Sequence, residues 1–160
     1  MLVDFFNNYS SIIVFLHVIS AVIWVGGMIA IRFAVHYSMQ NIEDPKIKIA
    51  RTLELLKRFF NMVIPAILTL LITAIIMIIA LGFKESELYN VVIVKEIIWT
   101  TMSLIFITIY IKRNKAQKAF DNGDFASAKN NLLPIATYFI PINIALGLIA
   151  IFLGITLRGF

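Results

Sequence analysis

Four long apolar stretches constrain this chain more than any other feature of its sequence. They lie at about residues 11–31, 59–83, 91–111 and 132–157. A helix needs about 20 apolar residues to cross the hydrocarbon core of a bilayer, so each stretch is long enough for one crossing. The sequence therefore predicts one all-α domain over residues 1–160, an integral membrane four-helix bundle surrounded by lipid.

Composition supports a lipid environment and excludes several kinds of site. The chain is 61% hydrophobic and 14% charged, whereas a soluble domain usually has about 25% charged residues. The net charge of +5 does not indicate nucleic-acid binding, because the basic residues lie between the apolar stretches and not along one face. Cysteine is absent, so thiolate metal sites, iron–sulfur clusters and c-type haem attachment are excluded.

The distribution of basic residues predicts the orientation of the bundle. Eleven of the 14 Lys and Arg residues lie in or beside the first and third connections. Cytoplasmic connections of membrane proteins are enriched in Lys and Arg, so we expect N-out, C-out topology in a bacterial-type inner (cytoplasmic) membrane. The eleven are Arg32, Lys46, Lys48, Arg51, Lys57 and Arg58, then Lys112, Arg113, Lys115, Lys118 and Lys129.

Turn and capping residues predict that helices two and three extend on the cytoplasmic side. Asp44 followed by Pro45 is typical of an N-cap and first helical residue, so helix two is expected to begin near Pro45. Helix three is expected to continue to Phe120, where residues 121–124 form a turn and Asp124 caps the next helix.

Two prolines fall inside the apolar stretches. Pro65 lies in span two and Pro141 in span four. Each removes a backbone hydrogen bond, so each is expected to kink its helix. Such kinks either open space for a ligand or improve packing between helices.

Ionisable residues inside the predicted spans are candidates for function, because charge is costly in lipid. Three are present, namely His17, Lys95 and Glu96. His17 and Lys95 are expected at similar depth in the outer half of the bundle, where they can contribute to one site. One stripe of helix one carries four residues at helical spacing: His17, Ser20, Trp24 and Gly27. Together they offer an imidazole, a hydroxyl, a large ring and a gap, which a planar ligand would require.

Each of these residues also has a purely structural interpretation. His17 can form a hydrogen bond to a Ser, a Thr or a carbonyl of another helix. Lys95 can extend to the membrane surface or pair with a carboxylate such as Glu96 of a neighbouring helix or subunit. Trp24 can be a core residue, and Gly27 can provide a close helix contact.

The two histidines cannot hold one metal within a protomer. His17 and His36 are 19 positions apart, which corresponds to about 28 Å along a helix. A six-coordinate haem on His17 would therefore need a second ligand from another helix, such as Lys95 or a methionine, or from another subunit. A five-coordinate haem on His17 is also compatible with the sequence.

The sequence resembles the HemJ-type protoporphyrinogen oxidases along all four spans, at low identity. The first span carries His17-Val-Ile-Ser-Ala-Val-Ile-Trp24-Val-Gly-Gly27, followed by Arg32 and His36. Leu56-Lys-Arg58-Phe-Phe-Asn-Met-Val-Ile-Pro65-Ala66 is similar to the family's approach to span two. Lys95 falls where span three of the family carries a lysine, and Arg158-Gly159-Phe160 is similar to the family's ending.

This resemblance implies a haem b-binding oxidoreductase. Such a protein takes protoporphyrinogen IX to protoporphyrin IX and passes electrons to a quinone or a partner. His17 would be the axial ligand and, with Lys95, catalytic, while Lys95 would be a second ligand or a cation for the porphyrin propionates. The resemblance places the cofactor among His17, Trp24, Gly27, Lys95, Arg58 and His36. Arg58 and Arg32 would contact substrate carboxylates or phospholipid, and a homo-oligomer is expected.

Two other functions remain open on the sequence. The run from His17 to Trp24-Val-Gly-Gly27 is equally similar to CopD-type copper-resistance membrane proteins, which implies copper transport or binding at His17. Alternatively, the chain is a non-catalytic membrane assembly subunit in which every polar residue serves packing.

Overall fold

Four helices make up nearly all of the part of the chain that the structure describes, residues 1–157, in a computed structural model. All four are long and apolar enough to cross a membrane, and residues 1–157 contain no strand. The predicted all-α four-helix bundle is therefore confirmed, and the chain is a multi-pass membrane protein. The helices are α1 (Leu2–Gln40), α2 (Pro45–Ala80), α3 (Tyr89–Asp121) and α4 (Phe125–Thr156).

The predicted helix boundaries are confirmed on the side of the basic connections. Asp44 caps α2, because its Oδ1 accepts the main-chain N–H of Lys46 at 2.7 Å. Asp124 caps α4 by accepting the N–H of Ser127 at 2.9 Å. At the other side α2 ends at Ala80, a little before the predicted 83, because the next turn places Gly82 at φ 63°.

Three wide, π-helical turns interrupt the α-helices, and the sequence did not predict them. Two lie in α1, at Val22–Gly26 and Ile31–Val35, and one lies in α4, at Ile135–Phe139. In the last of these, the N–H of Ile140 donates to the carbonyl five residues earlier, directly before Pro141, which has no N–H to continue the α pattern. By contrast, α2 remains helical through Pro65.

The helices pack unevenly along the bundle. We call the end with Met1 and the Gly82 turn the outer end. There, segment Leu2–Ala21 of α1 packs mainly on α2, and α4 packs on α3. Further in, α1 also meets α4 at a tight crossing, where a Cβ on Gly147 would lie 2.6 Å from a Val25 methyl and 3.2 Å from Met102 Cε. The largest fully buried side chains surround this crossing and the inner half: Trp24, Met28, Leu53, Val63, Ile135 and Asn143.

Candidate functional site

His17 links helices α1 and α2 in the outer half of the bundle. The imidazole is partly buried, and its Nδ1 lies 2.9 Å from Oγ1 of Thr73. The Thr73 side chain is buried, and its hydroxyl also lies 2.6 Å from the carbonyl oxygen of Thr69. An interhelical hydrogen bond between His17 and a threonine is thus present, as the structural interpretation allowed.

A groove between α1 and α2 lies beside this hydrogen bond. Its volume is about 380 Å³, which is within the range of small-molecule pockets in proteins, about 300–1,000 Å³. Phe5 and Tyr9 line its outer part, and Thr69 and Thr73 contribute hydroxyls to otherwise apolar walls. The α1 backbone departs from helical geometry at Tyr9, with φ −123° and ψ 17°, so α1 bends at the groove.

Lys95 occupies space that a glycine leaves on the neighbouring helix. Its Nζ lies 3.2 Å from the position that a Cβ would take at Gly154 of α4. Within residues 1–157 no hydrogen bond or ion pair to Lys95 is formed, and the following residue, Glu96, is exposed. The ammonium group is therefore held against α4 by packing.

His17 and Lys95 lie at similar depth, as expected. The crossing of Val25, Met102 and Gly147 fixes the common level of α1, α3 and α4. His17 is eight residues outward from Val25 and Lys95 is seven residues outward from Met102, which corresponds to about 12 Å and about 10 Å. They meet different helices, because His17 contacts α2 and Lys95 contacts α4.

Trp24 and Gly27, which were expected to contact a ligand, are enclosed by side chains of other helices. Trp24 is only 1% exposed and packs edge-on against Phe106, with 6.4 Å between the ring centroids. A Cβ on Gly27 would lie 2.6 Å from the ring of Phe59, so this ring fills the gap that Gly27 leaves. Both residues serve packing between helices in this structure.

Arg58 and His36 lie far from His17, so the structure divides the expected cofactor residues between two ends of the bundle. Arg58 is exposed and pairs with Glu54 of the same helix at 2.7 Å. It precedes Thr73 by 15 positions, or about 22 Å along α2. His36 accepts a hydrogen bond from the Gln40 amide at 3.2 Å and lines a small cavity of about 60 Å³ between α1, α2 and α4.

Sequence reasoning missed Thr73 and Asn143. The Asn143 side chain is fully buried and its Nδ2 donates to the main-chain carbonyl of Met102 at 3.2 Å, which ties α4 to α3. An amide inside span four was a signal of the same kind as His17, since polar groups in lipid need partners. Thr73 gave a weaker signal, because threonine hydroxyls often bond only to their own helix.

Comparison with known proteins gives no match to a family model, to a curated protein or to a solved structure. No group of three or more His, Cys, Asp or Glu side chains that could hold a metal ion occurs within residues 1–157. The ending Arg158-Gly159-Phe160, which contributed to the resemblance, lies outside the described residues. The candidate site therefore consists of His17 with Thr73, the adjoining groove, and Lys95 at the same depth.

Proposed function

We propose that the protein is a haem b-binding oxidoreductase of a bacterial-type inner membrane, with His17 as the axial ligand of the haem. The observation that carries the proposal is the hydrogen bond between His17 and Thr73. Histidines that ligate metals usually bond through their second ring nitrogen to a polar partner, which orients the ring. His17 is engaged in this way through Nδ1 inside an apolar span.

The residues of the outer half fit a haem in part. His17 supplies a nitrogen ligand, and the site contains no cysteine, as is usual for haem b. Trp24 and Gly27 do not fit, because both are enclosed by neighbouring side chains. A haem at this site would supply one-electron chemistry by cycling between ferric and ferrous iron. The chain's own contribution is to bind and orient the cofactor and to exclude water around it.

Lys95 is proposed to bind carboxylates. Its ammonium group lies at the depth of His17, and no acidic side chain within residues 1–157 neutralises it. A cation in an apolar environment attracts anions strongly, since little water screens it. Porphyrins carry carboxylates on flexible side chains, so Lys95 suits either the haem propionates or a porphyrinogen substrate. A role as second axial ligand is the alternative.

The proposed reaction, by resemblance to HemJ, is the oxidation of protoporphyrinogen IX to protoporphyrin IX. The electrons would pass to a membrane quinone or to a partner protein. A homo-oligomer is proposed because a bundle this small leaves much of a large planar ligand uncovered within one protomer. Arg58 and Arg32 are assigned to contacts with membrane lipid, on the side where most basic residues lie.

The test is an optical spectrum of the purified, haem-supplemented protein, oxidised and dithionite-reduced. We expect a Soret band with reduced α and β bands, and we expect these bands to disappear in His17→Ala. His36→Ala is the matched control, because it removes the only other histidine of the chain, about 28 Å away. Its spectrum should equal that of the unmodified protein.

Three outcomes would count against the proposal. A featureless spectrum after supplementation would remove the haem, and bound copper in its place would favour the CopD-like alternative. Neither haem nor copper would favour a non-catalytic assembly subunit. If haem binds through His17 but protoporphyrinogen is not consumed in the presence of a quinone, the substrate assignment is wrong and the haem assignment stands.

A further inference from the structure

We infer that Thr73 is a positioning residue, which holds His17 in the tautomer with hydrogen on Nδ1 and so makes Nε2 the ligand nitrogen. The second half of this statement rests on the proposed function. The tautomer itself does not, because it follows from the hydrogen bonds between α1 and α2.

The assignment follows from counting protons. The Thr73 hydroxyl has one hydrogen to donate. It lies 2.6 Å from the carbonyl oxygen of Thr69, which can only accept, and 3.2 Å from that of Leu70. The Thr73 hydroxyl therefore donates its hydrogen to the Thr69 carbonyl. The contact of 2.9 Å between Thr73 Oγ1 and His17 Nδ1 then requires that Nδ1 donates, and in a neutral imidazole the lone pair lies on Nε2.

The position of Thr73 makes this arrangement rigid. The side chain is only 4% exposed and its Cβ is branched, so few rotamers are open to it in a helix. The bond to the Thr69 carbonyl fixes the direction of the remaining oxygen lone pairs. His17 thus meets an acceptor whose orientation is set by α2 and does not depend on solvent.

A neutral acceptor has a chemical consequence for the imidazole. A carboxylate at this place would draw the Nδ1 hydrogen towards itself and make the ring a stronger donor to a metal. A threonine hydroxyl fixes the tautomer without adding charge to the apolar interior. A neutral ring with its lone pair on Nε2 is the form that ligation through Nε2 requires.

The first experiment is nitrogen-15 NMR of the full chain, labelled on histidine, in detergent or bilayers without added haem. His36→Gln gives a background in which His17 is the only histidine, so the ring signals need no assignment. We expect a protonated, pyrrole-type Nδ1 and an unprotonated, pyridine-type Nε2 at neutral pH. Free histidine prefers the opposite tautomer, so the result does not arise by default.

Two substitutions then separate positioning from packing. Thr73→Val keeps the shape and removes the acceptor, and we expect the Nδ1–H signal to be lost. Thr73→Ser restores an acceptor and should restore the tautomer. With haem, we expect Thr73→Val to weaken binding by about 10- to 100-fold, the usual effect of losing a partner of a metal-bound histidine, and Thr73→Ser to recover most of it.

The outcomes distinguish this inference from the proposed function. A protonated Nε2 in the His36→Gln protein, or an unchanged tautomer in Thr73→Val, would overturn the role of Thr73 whether or not haem binds. The expected tautomer with no haem binding would overturn the proposed function and leave the positioning of His17 established. If Thr73→Val does not fold, the spectrum of the His36→Gln protein alone still decides the tautomer.

Discussion

The guanidinium group of Arg113, on α3, donates a hydrogen bond from Nη2 to the main-chain carbonyl of Leu53 on α2, at 3.0 Å. Arg113 is 9% exposed and also donates to the Gln117 side chain at 2.9 Å. No carboxylate within residues 1–157 pairs with it. Arg113, one of the basic residues predicted to mark the cytoplasmic side, therefore links α3 to α2 through a hydrogen bond.

Loss of the hydrogen bond between Arg113 and Leu53 should destabilise the inner half of the bundle. Hydrogen bonds from a charged donor contribute about 1.5–3 kcal/mol, so we expect Arg113→Met to lower the free energy of unfolding in detergent by an amount in that range. Arg113→Lys should recover little, because an ammonium group lacks the planar fork. Lys115→Met, at an exposed position of the same helix, is the control. Equal effects at 113 and 115 would contradict the role of Arg113.

Glycine positions offer a test of the helix crossing. A Cβ at Gly147 would meet Val25 at 2.6 Å, whereas a Cβ at Gly26 would have its nearest neighbour at 3.9 Å. Overpacking typically costs about 1–3 kcal/mol, so Gly147→Ala should lower the unfolding temperature. Gly26→Ala should be neutral or stabilising by up to about 1 kcal/mol, because alanine favours a helix. The crossing would be wrong if both variants behaved alike in thermal unfolding.

The cap of α4 should respond to pH. Hydrogen bonds from the Ser127 side chain and main chain lower the pKa of Asp124 below its usual value. A carboxyl with a lowered pKa in the folded state stabilises it above the ordinary pKa of about 3.9, and this contribution is lost as pH falls through the lowered value. We expect amides 125–128 to exchange hydrogen faster, relative to amides inside α4, when pH falls from 7 to 3. Asp124→Asn keeps an acceptor without titrating and should remove this difference.

The orientation of the bundle can be measured by cysteine labelling, since the natural chain has no cysteine. Glu87→Cys lies in the exposed connection between α2 and α3, and Asn122→Cys lies in the exposed turn between α3 and α4. With N-out, C-out topology, a membrane-impermeant maleimide should label position 87 in intact cells and position 122 only after permeabilisation. The reverse pattern would invert the predicted topology.

The sequence predicted the helices well because their signals are local. Apolar length fixed the number of spans, and Asp44, Pro45 and Asp124 marked two helix starts through caps that the structure contains. The π-helical turns were not predictable in this way. Only the turn before Pro141 has a sequence feature, the proline, that accounts for it.

The candidate site was predictable only in its depth. The spacing of His17 and Lys95 from the span ends placed them at one level, which the crossing at Gly147 supports. Which helix each side chain meets depends on rotations about the helix axes, and uniformly apolar spans carry little information on rotation. For the same reason the neighbours of Gly27 and Trp24 could not be foreseen, and a ligand slot was expected where Phe59 and Phe106 pack.

The close approach at Gly147 leaves no room for a side chain between α4 and the residues Val25 of α1 and Met102 of α3. Outward of it, α1 packs mainly on α2 and α4 packs on α3, while the connection at residues 81–88 joins α2 to α3 at the outer end. The spacing of α1 and α4 at this level is therefore set by the α4 backbone meeting the Val25 side chain, about two turns inward of His17 and Lys95.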